Sequence, residues 1–476
     1  MRTRTTIGAA DTGAVVGFVD VAGARRRFVG AAGCVVLALP VLIAASSTIL
    51  AQTVPQYGDD VHLGVASCAS STCHGAVDPL DGTTVLQNEF ATWQKRDKHA
   101  DAYNLLFDDL SQRIARNLGL DDASTADICL DCHADNVPPE RRGPRFQLSD
   151  GVGCEACHGG SERWIGPHTG GERTADDGGR AQHEENLALG LYPTSDPAAR
   201  AELCLSCHIG DETKLATHRI MGAGHPRLSF ELDTFTAIEP AHYRVDDDYI
   251  ERKGEPNGAE VWAIGQAEAL EQVLDLVVSR KYGQTGLFPE LFFFDCHACH
   301  KPMSAARWQE RASLGLGPGV VRFNDANLIM LRIAAEAVDP ALAKTIAQRG
   351  RALHKASQQG AKAWRDAAAA LREATAEAIA TFERTTFDEP IMRRILDGLV
   401  QEGVRGEYVD YVAAEQTTMA ISTVVEAMSA EGDLSDAEYG RFEQIMNDLY
   451  AAVAKDEQYR PSVHLKALKR IATSGS

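Results

Sequence analysis

Five short stretches decide how this chain is read: Cys68-Ala-Ser-Ser-Thr-Cys73-His74, Cys129-Leu-Asp-Cys132-His133, Cys154-Glu-Ala-Cys157-His158, Cys204-Leu-Ser-Cys207-His208 and Cys296-His-Ala-Cys299-His300. In each, a pair of cysteines is closed by a histidine. Four have the form C-x-x-C-H, the attachment signature of c-type haem, and the first is its C-x4-C-H variant. In such a motif the two thiols form thioethers with the porphyrin, and the adjoining histidine is the proximal iron ligand. Ten of the eleven cysteines are used this way. A disulfide framework has no need of a histidine after every second cysteine. Zinc sites favour other spacings, with paired Cys-Cys or His-His ligands. The reading is five covalently bound haem c groups, held by Cys68, Cys73, Cys129, Cys132, Cys154, Cys157, Cys204, Cys207, Cys296 and Cys299. Their proximal ligands are His74, His133, His158, His208 and His300.

The chain has 476 residues and a formal charge of −20. That length allows two or three domains and a sizeable core. The charge, with no basic stripe, excludes nucleic acid as a partner. At the N-terminus Arg25, Arg26 and Arg27 precede an apolar run from Phe28 to Ala45, and Ala51 is a small residue suited to cleavage. This is the form of an export signal. Haem attachment requires an unfolded chain with accessible thiols, so general export of the unfolded form is expected despite a loose twin-arginine resemblance. If cleavage fails, Phe28 to Leu50 is long enough to remain as an anchor. Cys34 lies inside the apolar run without the flanking residues of a lipidation site. The expected organisation is a signal peptide over 1–51, a haem domain over 52–310 and a helical domain over 311–476. The protein is expected in the periplasm.

The predicted fold class is mainly α: an irregular haem-packed multihaem cytochrome domain followed by a C-terminal helical bundle. Apolar residues from Phe90 to Leu106 recur at helical spacing, so His99 is predicted to project from a helix. A second helix is predicted over Leu110 to Leu118, stopped by Gly119. Pro138 to Arg180 is predicted as loop, and Ala267 to Val278 as helix. No strand pattern is strong. The motifs follow no fixed period, which excludes a solenoid. Beyond the fifth motif the chain is cysteine-free and alanine-rich, and three to five helices are predicted. Asp339-Pro340 reads as N-cap and N1, and Ser435-Asp-Ala-Glu438 as a capping box. This bundle is read as a cap on the haem domain, a docking module or a homo-oligomer contact.

Beyond the proximal five there are ten further histidines. An iron with two imidazoles passes electrons without binding substrate, whereas one with a single imidazole is open to small molecules. The function therefore turns on distal ligands. His99, His168, His218 and His225 rank first, the last two in the glycine-containing stretch Thr217 to Phe230. His62 and His242 come next. His297 cannot serve its own motif but could reach a neighbouring haem. His183 is read as solvated, His354 and His464 as surface or packing residues, and Met221 as core.

Cys68 to His208 resembles the tetrahaem cytochrome c-554 family. The features that carry it are Trp93 and His99 after the first motif, Cys129-Leu-Asp-Cys132-His133, and Gly151-Val-Gly-Cys-Glu-Ala-Cys-His-Gly159 with His168 downstream. Cys204-Leu-Ser-Cys207-His208 completes them. The resemblance implies that His168 faces His74, that His99 faces His208, and that His218 or His225 faces His158. It also implies a five-coordinate iron at His133. The wider first motif, a different Trp93–His99 spacing, a fifth motif and the helical extension depart from the family. The primary expectation is a multihaem electron carrier serving redox partner proteins in the periplasm or inner membrane. The alternative is an oxidoreductase for a small nitrogen or sulfur compound at the His133 haem.

Overall fold

The computed structural model describes residues 53–80, 85–170, 180–284, 290–300, 311 and 313–474. The export-signal reading and Cys34 lie outside these residues. All described residues fall within one compact unit. The regular structure is helical; β pairing among the described residues is limited to isolated bridges, His62 with Arg142, Gly210 with Leu215 and Phe294 with Phe323. The chain is mainly α, as its patterning predicts.

Around the motifs the helices are short, and motif spacing explains why. In C-x-x-C-H the cysteines and histidine stand at i, i+3 and i+4, which one helical turn places on a single face. The second to fifth motifs accordingly sit on Asp127–His133, Cys154–His158, Pro197–His208 and Cys296–Cys299, with His300 as the C-cap of the last. The first motif has two extra residues and forms no helix. It closes as a loop, with Cys73 N–H donating to the Ser70 carbonyl (2.8 Å) and His74 N–H to the Cys68 carbonyl (3.2 Å).

The continuous helix expected through His99 breaks. Glu89–Arg96 is α-helical, but Asp97 is extended (φ −84°, ψ 129°) and caps a new 3₁₀ turn, Lys98–Asp101, by accepting from His99 N–H. Asp as a cap outcompetes helix continuation. Asp109–Leu118 ends at Gly119 in the left-handed region (φ 78°), as predicted. The segment expected as loop carries short turns at Pro139–Arg141 and Leu148–Asp150, and helices at Cys154–His158 and Ile165–Gly170.

The helix predicted from Ala267 begins nine residues earlier, as Gly258–Val278, capped by Asn257, whose side chain accepts from Ala259 and Glu260 N–H. Nearly every face of it is buried, including Trp262, Ile264, Leu270 and Leu274. A helix apolar all round belongs at a core centre. It packs on the motif-bearing Pro197–His208 helix and on Ala326–Val338, Ala361–Phe382 and Tyr411–Ala430. The bundle core thus draws in a helix that precedes the fifth motif.

Among the described residues past 311 there are seven helices rather than three to five: Ala326–Val338, Pro340–Ala356, Ala361–Phe382, Glu389–Arg405, Tyr411–Ala430, Asp436–Ala452 and Pro461–Ser474. Polar caps divide what composition alone leaves continuous. Asp339 accepts from Ala341 and Leu342 N–H ahead of Pro340, and Ser435 with Glu438 forms a full capping box. Buried amides link the layers: Asn327 donates to Gln266, Gln266 to Gln416, and Gln416 to the Phe230 carbonyl, at 2.8–2.9 Å. His354 and His464 are buried in this bundle at about 1 % exposure, which makes both packing rather than surface residues.

Candidate haem sites

Each motif histidine faces one other histidine. Ring centres are separated by 6.0 Å for His74–His168, 6.1 Å for His99–His208, 6.4 Å for His133–His225, 6.2 Å for His158–His242 and 6.1 Å for His218–His300. Packed aromatic rings commonly lie at about 4.5–7 Å, so one such pair would carry little weight. Five pairs, one per motif and with no partner used twice, carry much more.

The spacing also fits the cofactor. Metal–imidazole bonds of about 2 Å, with each ring centre about 1.1 Å beyond its nitrogen, put two axial imidazoles about 6.2 Å apart. None of the ten motif cysteines is in a disulfide, so each keeps a thiol for a thioether. The fit is made by a donor set of two imidazoles and two thiols at each site.

Two expected pairings are found, His74 with His168 and His99 with His208. A third pair differs from the expectation: His158 is faced by His242, not by His218 or His225. His225 stands across from His133, whose iron the resemblance leaves five-coordinate. His218 faces His300 of the fifth motif. His242 was reachable from sequence only as one spare histidine among several; it lies beyond the Leu232–Ile238 helix, in Glu239-Pro-Ala-His242.

Backbone and carboxylate acceptors orient several rings. Nδ1 of His74 lies 3.0 Å from Glu89, that of His99 3.0 Å from Asp97, that of His133 3.0 Å from the Ala102 carbonyl, and that of His225 2.8 Å from the Pro226 carbonyl. An Nδ1–H donating to such an acceptor leaves Nε2 as the metal-binding nitrogen. Asp97, His99 and Glu239 converge closely enough to suggest a separate cation site, but Asp97 already engages Nδ1 of His99, whose ring faces His208. The cluster reads as a carboxylate–imidazole arrangement. Burial pushes His158 and His208 down to about 4, which favours the neutral, ligating ring. In His74 and His99 the hydrogen-bonded carboxylates Glu89 and Asp97 raise the pKa.

His62 and His297 are held by carboxylates instead. His62 is fully buried, with Nδ1 2.7 Å from Asp135, and opposes no motif histidine. His297 places Nε2 2.5 Å from Asp456 rather than toward a neighbouring site.

The motifs themselves are packed together. The Cys68 thiol is within hydrogen-bonding reach of Cys154, and that of Cys132 within reach of Cys207. The first site therefore adjoins the third, and the second the fourth. Glu155, the variable residue of the third motif, is buried and pins these parts. Its carboxylate accepts from Leu63 N–H (2.8 Å), Gly64 N–H (2.6 Å), Ser161 N–H (2.8 Å) and Ser161 Oγ (2.5 Å). Sequence reasoning missed this role; an acidic residue inside a haem motif is unremarkable until its surroundings are known. Gly151 (φ 67°) lets the third motif approach the His99 turn, where a Cβ would lie 2.6 Å from the His99 carbonyl oxygen. Val152 N–H donates to that same oxygen (3.0 Å).

Among known proteins, residues 67–159 match the family model described as Cytochrome c554 and c-prime. The match spans the first three motifs; the fourth and fifth lie beyond it. No curated protein and no solved structure matches the chain. The match supports a c-type cytochrome similar to cytochrome c554, with haem c as its cofactor and electron transfer as its role.

Proposed function

We propose that this chain is an exported, five-haem electron relay in which every iron carries two histidines. The observation that carries this reading is the pairing of all five motif histidines with a second histidine at 6.0–6.4 Å. Haem iron supplies a one-electron couple, its potential set by axial ligands, burial and hydrogen bonding. The paired histidines would hold each haem iron, their rings oriented through Glu89, Asp97 and backbone carbonyls, and would leave no place for an exogenous ligand. His225 opposite His133 speaks against a small-molecule oxidoreductase at that site.

Periplasmic location rests on the N-terminal pattern and on the chemistry of haem attachment. Among the described residues no helix is long and apolar enough to cross a membrane. The net charge of −20 suits a redox partner with a basic docking face. The test is a haem count by intact mass combined with electron paramagnetic resonance of the oxidised protein. Five haems and low-spin iron throughout are expected. A high-spin signal, or carbon monoxide binding by the reduced wild type, would overturn the relay reading.

A further inference from the structure

His218 and His225 come from one short segment yet face different motifs, the fifth and the second. The segment is compact: Thr217 caps the His218–Gly222 helix, and His225 N–H donates back to the Ile220 carbonyl (3.3 Å). The second and fifth sites are therefore neighbours, joined by this segment. Just past it, Arg227 reaches into the bundle. Its guanidinium lies 3.0 Å from Glu415, 5.2 Å over the Tyr411 ring and 3.8 Å from Oδ2 of Asp456. The other oxygen of Asp456 lies 2.5 Å from Nε2 of His297, inside the fifth motif. Asp456 opens the Asp456–Gln458 turn between the Asp436–Ala452 and Pro461–Ser474 helices. One bundle carboxylate thus touches both the arm that carries the second site's distal histidine and the motif that carries the fifth site's proximal one.

We infer that Asp456 is a positioning residue for electron passage between the second and fifth haems, and that through it the C-terminal bundle sets the separation of those two sites. The inference rests on the five-haem reading. Electron tunnelling falls off exponentially with distance, so a small relative shift of arm and motif changes this step and leaves the others intact. The second tie between motif and bundle, Arg322 with Asp295 and Asp410, holds only the motif side. Asp456 spans both with its two carboxylate oxygens, beside Tyr411, whose ring lies under Arg227 and 6.1 Å from that of His297.

The test is flash photoreduction of the folded holoprotein by a flavin, following electron arrival at the fifth haem. A His218→Met variant identifies the spectral signature of that haem. In Asp456→Ala, arrival should slow several-fold while equilibration among the other four haems keeps its wild-type rate, and Asp456→Glu should restore most of the loss. A purely structural role would lower the unfolding midpoint without moving this one rate. An unchanged rate in Asp456→Ala, or an equal slowing of every phase, overturns the inference. If Asp456→Ala does not accumulate folded, Arg227→Gln removes the other limb and should give the same selective slowing. Failure of the underlying reading is separately visible as a haem count other than five in the wild type.

Discussion

The His225 ring stands 6.4 Å from that of His133, with the two planes at 83°. Family resemblance left this iron as the open one, and the function depended on whether it was. Removing His225 should open it. In His225→Ala the reduced protein is expected to bind one carbon monoxide, and the oxidised protein to gain one high-spin signal. Wild type should show neither. Carbon monoxide difference spectra and electron paramagnetic resonance check both.

Ring orientation divides the five sites into two classes. His74–His168 and His218–His300 are inclined at 14° and 36°, whereas His99–His208, His133–His225 and His158–His242 stand at 83–90°. The relative orientation of axial imidazoles controls the splitting of the iron d orbitals. Two irons should therefore give ordinary rhombic low-spin spectra and three the large-g signals of crossed imidazoles. Spin quantitation of the fully oxidised protein tests the two-to-three ratio.

Glu155 accepts four hydrogen bonds from buried or half-buried donors on two segments. Its truncation to Ala strands backbone N–H groups that cannot move to solvent. Each stranded donor costs about 1–3 kcal/mol, so a loss of about 2–4 kcal/mol is expected with partial relaxation. Glu155→Gln should lose less, because its carbonyl oxygen still accepts. Urea unfolding of the holoprotein measures both.

Acid should weaken the bundle through His464. Burial pushes this imidazole down to about 4, against an ordinary value near 6.5, while its contact with the Ala414 carbonyl opposes the shift. Tyr408 and Tyr459 enclose the ring, and Nε2 lies 3.1 Å from Thr418 Oγ1. Between pH about 6.5 and 4 the unfolded chain takes up a proton at this residue and the folded chain does not. Stability is therefore full above about pH 6.5 and falls as pH drops through that window, by on the order of 2–3 kcal/mol. In His464→Gln the slope of unfolding free energy against pH should flatten there.

Arg311 is buried between Asp325 (2.8 Å) and Glu407 (2.8 Å). Arg311→Met leaves two buried carboxylates without their cation, and a loss of about 3–5 kcal/mol is expected. The unfolding midpoint of the bundle reads it directly.

Helix ends illustrate how much of the fold was legible. Gly119, Asp339-Pro340 and Ser435–Glu438 act through side chains on their own backbone, so their effect could be read locally. The break at Asp97 is equally local, but the apolar spacing from Phe90 to Leu106 masked it. The Gly258–Val278 helix was read from Ala267 onward and assigned to the haem region. Its place at the bundle centre depends on helices as far along the chain as Tyr411–Ala430, which periodicity does not report.

The sequence by itself determined the cofactor chemistry, because two thioethers and a proximal ligand must come from residues adjacent on one helical turn. Cysteine and histidine spacing therefore carries that information in full. Only the tertiary structure decided what lies across from each proximal histidine. A facing histidine needs only to arrive at the right point in space, and each arrives here from more than eighty residues away along the chain. No local pattern distinguishes His242, which faces His158, from His62, which is held by Asp135 in the interior. Packing made that choice, and the proposed relay rests on it.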